Sequence, residues 1–331
     1  MQFTTPTDLP LKDFTINHKE QMILVGSCFA SNIGNKLKER KFHIELNPFG
    51  IQYNPLSIVS VLERVYTGEQ FTTSSSELFF HNGKWHSCMH HSDFSRNSIE
   101  ELVDCINSRL SVAHKASKEC STLILTFGTA YAYYRNSDNR VVGNCHKLPA
   151  GMFTRRLLDI DTIVAALSRI IELYKNNNSK IKFLFTVSPI RHLRDGAHDN
   201  QKSKATLLLA IERIMQLYPD NAYYFPAYEI VLDELRDYRF FAEDMVHPSA
   251  TAIEYIWECF GKCYFNAETT NLNRDIEEIL RALGHKPFDA SSYSYREFVA
   301  TTLKKIAAVE ERVHYLDFVK EKELCNILLE K

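Results

Sequence analysis

Two short stretches carry the residue types of acyl-transfer chemistry. Residues 22–30 read MILVGSCFA, an apolar run that stops at Gly26 and delivers two candidate nucleophiles, Ser27 and Cys28. Far downstream, DMVHPSA at 244–250 sets Asp244 three positions before His247. A hydroxyl or thiol at the head of a helix feels that helix's positive end, which favours a thiolate or the negative charge of an acyl-transfer intermediate. An imidazole can act as general base and then as acid, while a carboxylate about one turn away fixes its tautomer. The catalytic candidates are therefore Ser27, Cys28, Asp244 and His247. Adjacent residues leaving a strand point in different directions, so one of Ser27 and Cys28 is expected to face the imidazole and the other to pack beneath the turn. Which is which stays open at this level.

Such a site needs a scaffold that brings position 247 to the end of the first strand. Five apolar runs, at 22–25, 42–46, 122–127, 181–187 and 222–225, alternate with segments of helical periodicity at 30–41, 56–66, 99–114, 160–174 and 204–217. TLILTF at 122–127 and KFLFTV at 182–187 are apolar almost throughout, as strands covered on both faces should be. The alternation predicts a three-layer α/β/α fold around a five-stranded, mostly parallel, flavodoxin-like sheet. In that order the crevice opens between the first and third strands, beyond their carboxyl ends. Gly26-Ser27-Cys28 ends the first and Gly128-Thr129 the third, so both turns fall on one rim. Backbone N–H groups at Gly50 and at the Cys28–Phe29 turn are the candidate oxyanion donors.

The stretch 70–96 interrupts the alternation and reads as an insertion, with a hairpin turning at Asn82-Gly83 and Trp85 among the aromatics expected to roof the crevice. A second ribbon is predicted over 131–142. The hydrolase-type domain is thus placed at 1–266. A C-terminal helical extension at 267–331 has helices expected at 272–283 and 295–329, the latter with an apolar stripe suited to the main domain or to a second copy of the chain. Composition narrows the partners. The 331 residues are 45% hydrophobic and 24% charged, with a net charge of −2, which gives no basic surplus for nucleic acid. No apolar run reaches membrane-spanning length, the first 14 residues lack a signal-like apolar core, and eight cysteines without a C-x-x-C fit reduced thiols in the cytoplasm.

GSCFA at 26–30 resembles the signature of the GSCFA-domain family, which is similar in turn to the SGNH/GDSL hydrolase superfamily. The resemblance runs from about 23 to 266 and draws support from NPFG at 47–50, LTFGTAY at 125–131, NCHK at 144–147 and SPIRHLRDG at 188–196. It implies an SGNH-type sheet and ester chemistry without metal or cofactor. Aligned without a gap, the superfamily's Gly-Asp-Ser block puts Cys28 at the nucleophile position, and a one-residue shift restores Ser27. Gly50 corresponds to the second block's glycine. The third block, Gly-x-Asn, meets Gly128-Thr129-Ala130 and lacks its asparagine, for which Thr129, or Asn144 and His146, are the substitutes. Asp244 and His247 match the last block.

Two further groups bear on ligands. His81, His86, Cys88, His90 and His91 crowd one hairpin, where surface histidines are the simpler reading than a metal site. Arg191, His192 and Arg194 follow the fourth strand onto the active rim, where they could clamp an anionic substrate group or pair with Asp195 and Asp199. The expectation is a hydrolase that cleaves an acyl or acetyl ester on a carbohydrate or other polar carrier, with an acyltransferase as its close variant. A catalytically idle module that binds a ligand or a protein is the alternative.

Overall fold

The fold is described from a computed structural model covering residues 5–10, 14–289 and 291–330. Positions 1–4 and 11–13, within the stretch expected to lack a signal-like core, and positions 290 and 331 of the expected C-terminal extension lie outside the described residues. The chain opens with β1 (Gln21–Gly26), α1 (Cys28–Glu39), β2 (Ile44–Leu46) and α2 (Pro55–Thr67). A hairpin of β3 (Leu78–His81) and β4 (Lys84–Ser87) leads into α3 (Ile99–Glu119) and β5 (Cys120–Phe127). A small antiparallel sheet follows, made of β6 (Tyr131–Arg135), β7 (Val141–Val142) and β8 (Phe153–Leu157). Then come α4 (Ile160–Lys175), β9 (Lys182–Val187), α5 (Gly196–Leu217), β10 (Ala222–Tyr224), a single turn α6 (Ala227–Glu229) and α7 (Ala250–Tyr264). The C-terminal helices are α8 (Ala267–Leu283), α9 (Tyr293–Arg312) and α10 (Val319–Leu329).

The central sheet has the order β10-β9-β5-β1-β2, and every neighbouring pair is parallel. This is the expected flavodoxin-like order, with β1 and β5 as the first and third strands of the core. Side-chain alternation builds the layers. Ile23 and Val25 point into one core with α2, α3, α4 and α5, while Met22 and Leu24 point into the other with α1 and α7. The hairpin turns through Asn82 (φ 47°) and Gly83 (φ 76°), both left-handed, as a two-residue loop between twisted strands requires. The ribbon after β5 also forms, and β8 adds to it a third strand for which the sequence reading makes no provision.

The C-terminal helices enclose a core of their own, in which Ile276, Ile306, Val309 and Phe318 are buried. The stretch read as one long helix is broken between Arg312 and Val319, because burying Val313, Leu316 and Phe318 turns the chain so that α10 folds back on α9. This unit is tied to the end of α1 by ion pairs from Arg40 to Glu277 and from Lys41 to Glu321. No helix among the described residues is long and apolar enough to cross a membrane.

Two details position the crevice. Gly26 lies so close to β5 that a Cβ there would stand 2.4 Å from the Thr126 carbonyl oxygen. Lys204 on α5, 1% exposed, donates from Nζ to the carbonyls of Gly128 (2.6 Å) and Ser188 (2.7 Å), the residues that follow β5 and β9. Burial pushes its pKa down to about 7, and a neutral amine keeps two N–H donors for those two carbonyls. Between pH 7 and the unfolded lysine pKa the unfolded chain binds the extra proton, so stability rises with pH across that window. Urea titrations should show the stability of wild type relative to Lys204→Met growing by about 2 kcal/mol from pH 7 to 9; parallel profiles would contradict it. Gly26→Ala should cost about 1–3 kcal/mol by the same measurement, because the clash is with backbone that has little room to yield.

Candidate active site

The end of β1 is held by side chains that fix its direction. Gly26 N–H donates to Asn47 Oδ1 (2.9 Å), Gly26 O accepts from Gln52 N–H (3.0 Å), and Asn47 itself sits at φ 44°. Ser27 follows in extended conformation as the N-cap of α1, yet its side chain makes no capping bond. By contrast Asn54, Ser98, Asp159 and Ser249 cap α2, α3, α4 and α7 with side-chain oxygens. The amides of Cys28, Phe29 and Ala30 therefore have no acceptor among the described residues. They leave the positive end of the helix available to an anion.

Ser27 and Cys28 both line a cavity of about 630 Å³ at the β1/β5 rim. Ser27 is 2% exposed and its hydroxyl has no hydrogen-bond partner among the described residues. Cys28 is half-buried, with Sγ 3.7 Å from the Tyr53 hydroxyl. Burial first, and the neighbouring Cys28 second, push the Tyr53 phenol upward, so it stays protonated and can donate to the sulfur. The Tyr53 carbonyl accepts from the N–H groups of Gly128 (2.7 Å) and Thr129 (3.1 Å), joining the turn after β5 to the loop before α2.

His247 lines the same cavity. Asp244 Oδ2 is 2.5 Å from His247 Nδ1, and Asp244 Oδ1 accepts from the N–H groups of Val246 and His247, both at 2.9 Å. The backbone N–H of His247, its imidazole and the N–H of Val246 hold the carboxyl at about 2, so it is ionised at neutral pH. An ionised acceptor puts the imidazole proton on Nδ1 and leaves the Nε2 lone pair free as a base. Met245 at φ 60° closes this turn, and Ala242 N–H donates to His247 O (2.7 Å). The two side chains are 45% and 51% exposed. No hydrogen bond joins the imidazole to Ser27 or Cys28 among the described residues.

The structure brings Asn144, Thr129, Arg191 and His192 to the cavity wall as well, but changes the part several of them can play. Gly50 is not on the wall, and its N–H is spent on the Asn47 carbonyl (2.8 Å) in a left-handed turn packed on His91, so it is no oxyanion donor. Gly128 is off the wall with its N–H committed to Tyr53. The Thr129 hydroxyl is engaged by Ser203 Oγ (3.0 Å) and by Tyr131 N–H (3.1 Å). Asn144 bonds with Ser92 and with His146 N–H. His146 is buried away from the cavity, with Nε2 2.8 Å from the Ser87 carbonyl. Burial, with lesser pressure from Lys204 and Arg155, lowers His192 to about 4 against the pull of Asp195, so it meets a ligand as a neutral ring.

The crevice is roofed by Tyr131, Tyr133 and Phe153 of the small sheet rather than by Trp85, which pairs with Arg96 and packs on the core. The hairpin histidines do not converge. His90 is fully buried against Phe49, burial lowers its pKa to about 3, and no group of three or more ligating side chains is arranged for a metal among the described residues. Sequence reasoning missed Tyr53 and the ion pair of Arg155 with Asp195 (2.6 Å), which joins β8 to the loop after β9. Its partners are 40 residues apart, and no local pattern announces it.

No curated protein matches the chain. Among solved structures, a carbohydrate esterase family 3 protein from Talaromyces cellulolyticus aligns over 77% of this chain and 99% of its own length, at 8% identity and a TM-score of 0.35, too loose a likeness to bear on chemistry. Residues 276–331 match the profile described as GSCFA domain protein, C-terminal domain. Residues 21–260, from the first core strand to the last core helix, match the profile of the GSCFA family, and the chain belongs to that family.

Proposed function

We propose that the protein is a thiol-dependent ester hydrolase acting on an acyl group carried by a polar alcohol such as a carbohydrate, with Cys28 as nucleophile. One observation carries this reading: the Cys28 thiol, at the uncapped head of α1, shares a cavity with an imidazole already oriented by an ionised carboxylate. Cys28 is preferred to Ser27 because its side chain is the more exposed of the two and already has a hydrogen-bonding neighbour in Tyr53. His247 Nε2 takes the thiol proton as sulfur bonds to the ester carbonyl carbon. The amides of Cys28 and Phe29 receive the oxyanion. Collapse expels the alcohol, which leaves with the proton from His247. Water then attacks the thioester, giving up a proton to His247, and the acid departs as the thiol is restored. The imidazole must close on the sulfur when substrate is bound, as catalytic contacts often do.

A second reading has a specific observation in its favour. The third-block asparagine position is Ala130, and the hydroxyl of its candidate substitute Thr129 is occupied, so no side-chain oxyanion donor is free there. That fits a ligand-binding module without turnover. Hydrolysis of p-nitrophenyl acetate separates the two. Under the enzymatic reading, Cys28→Ala and His247→Ala should each lower kcat/KM by on the order of 10³-fold or more, and Asp244→Asn by about 10²–10⁴-fold. Iodoacetamide should label Cys28 and block turnover, while Ser27→Ala should remain active. Wild-type rates in His247→Ala would refute the mechanism. A fluorophosphonate adduct on Ser27 that survives Cys28→Ala would move the nucleophile to the serine.

A further inference from the structure

We infer that the cavity selects an ester whose polar carrier bears an oxyanion group, a carboxylate or a phosphate, gripped by Arg191 and Arg194. The inference deepens the ester-hydrolase reading and rests on it for the word ester; the anion site stands on separate observations. Four cationic side chains line the cavity (Lys147, Arg155, Arg191 and Arg194) against one carboxylate, Asp195. That carboxylate is neutralised by Arg155 at 2.6 Å. The excess is local, since the whole chain has 39 Lys and Arg against 41 Asp and Glu.

Neither of the two remaining guanidinium groups has a carboxylate partner among the described residues. Arg191 rests over the ring of Phe241, 5.6 Å from its centroid, and Phe241 bridges to Pro248, the residue after His247. Arg194 donates to the Tyr133 hydroxyl (3.0 Å) on β6. One cation thus stands beside the turn that carries the imidazole, and the other beneath the small sheet that roofs the crevice. Both lie in the short loop after β9. Guanidinium groups match carboxylate and phosphate oxygens in a two-pronged fashion, and in a partly enclosed cavity such contacts are stronger than on open surface. His192, between them in sequence, is neutral, so the positive charge of this loop comes from the two guanidinium groups. Its ring packs edge-on against Tyr53, 5.7 Å away, which keeps it beside the nucleophile's neighbour.

The test is calorimetric titration of full-length Cys28→Ala with phenyl phosphate, benzoate and phenol, probes that share a ring and differ in charge. At least one anion should bind ten times or more tightly than phenol, and its affinity should fall as salt is raised. Arg191→Gln and Arg194→Gln, each placed on the Cys28→Ala background, should each weaken that anion by about tenfold. Arg191→Lys should recover part of the loss. The tighter of the two anions names the group. Equal binding of phenol and both anions, or unchanged anion affinity in both glutamine variants, would overturn the inference. Binding is read without turnover, so a wild type that binds the anion but hydrolyses neither 4-acetoxybenzoate nor 4-acetoxyphenyl phosphate would sink the hydrolase reading alone. Active wild type should show the lower KM for the matching anionic ester than for phenyl acetate, and the arginine variants should raise that KM more than they lower kcat.

Discussion

The organising constraint is the divergence of the chain at the ends of β1 and β5. In a parallel sheet ordered 2-1-3-4-5 the connections from the first and third strands leave toward opposite faces, and the space between them cannot be filled by either. Gly26 lets the two strands approach to contact at that point. Every candidate group is then supplied by a segment arriving at this gap: Cys28 from the helix after β1, Tyr53 from the loop before α2, the arginines from the loop after β9, and His247 from the turn before α7. The helices on either side bury the sheet and leave the gap open at the strand ends.

What the turn after β5 does follows from the same geometry. Its amides are consumed by Tyr53, its hydroxyl by Ser203 and Tyr131, and its Gly128 carbonyl by buried Lys204. The turn is thereby a structural knot whose polar groups are paired within the protein. The amides at the start of α1 are left without an acceptor among the described residues. In the proposed reaction, negative charge is therefore met from the helix that carries Cys28 and from guanidinium groups, not from the third loop.

Local patterns were the legible ones. Runs such as TLILTF announced buried strands because both faces are covered; Asn82-Gly83 announced its hairpin through left-handed preference; Asp244 and His247 are three residues apart and bond directly, so their spacing carried their geometry. Errors gathered where the deciding partner is remote. Gly50 reads as an oxyanion donor, but the Asn47 carbonyl takes its N–H, and His146 reads as a substitute donor, but it bonds to the Ser87 carbonyl beneath the hairpin. Trp85 reads as a roof from its place among the hairpin aromatics, while the roof comes from a small sheet whose third strand, FTRRL, has its apolar face interrupted by Arg155. The break after α9 is hidden because Val313 and Leu316 continue the helical apolar spacing while packing, with Phe318, in a turn.

The exposure of the Asp244–His247 turn has one more consequence. With the imidazole about half open to solvent, bulk water and dissolved buffers can exchange protons with it directly whenever the cavity is vacant. Under the proposed mechanism no relay of buried side chains is required to reset the base between cycles, and no hydrogen bond leads from the ring beyond Asp244 among the described residues. Proton traffic at this ring is in the hands of whatever molecule covers it.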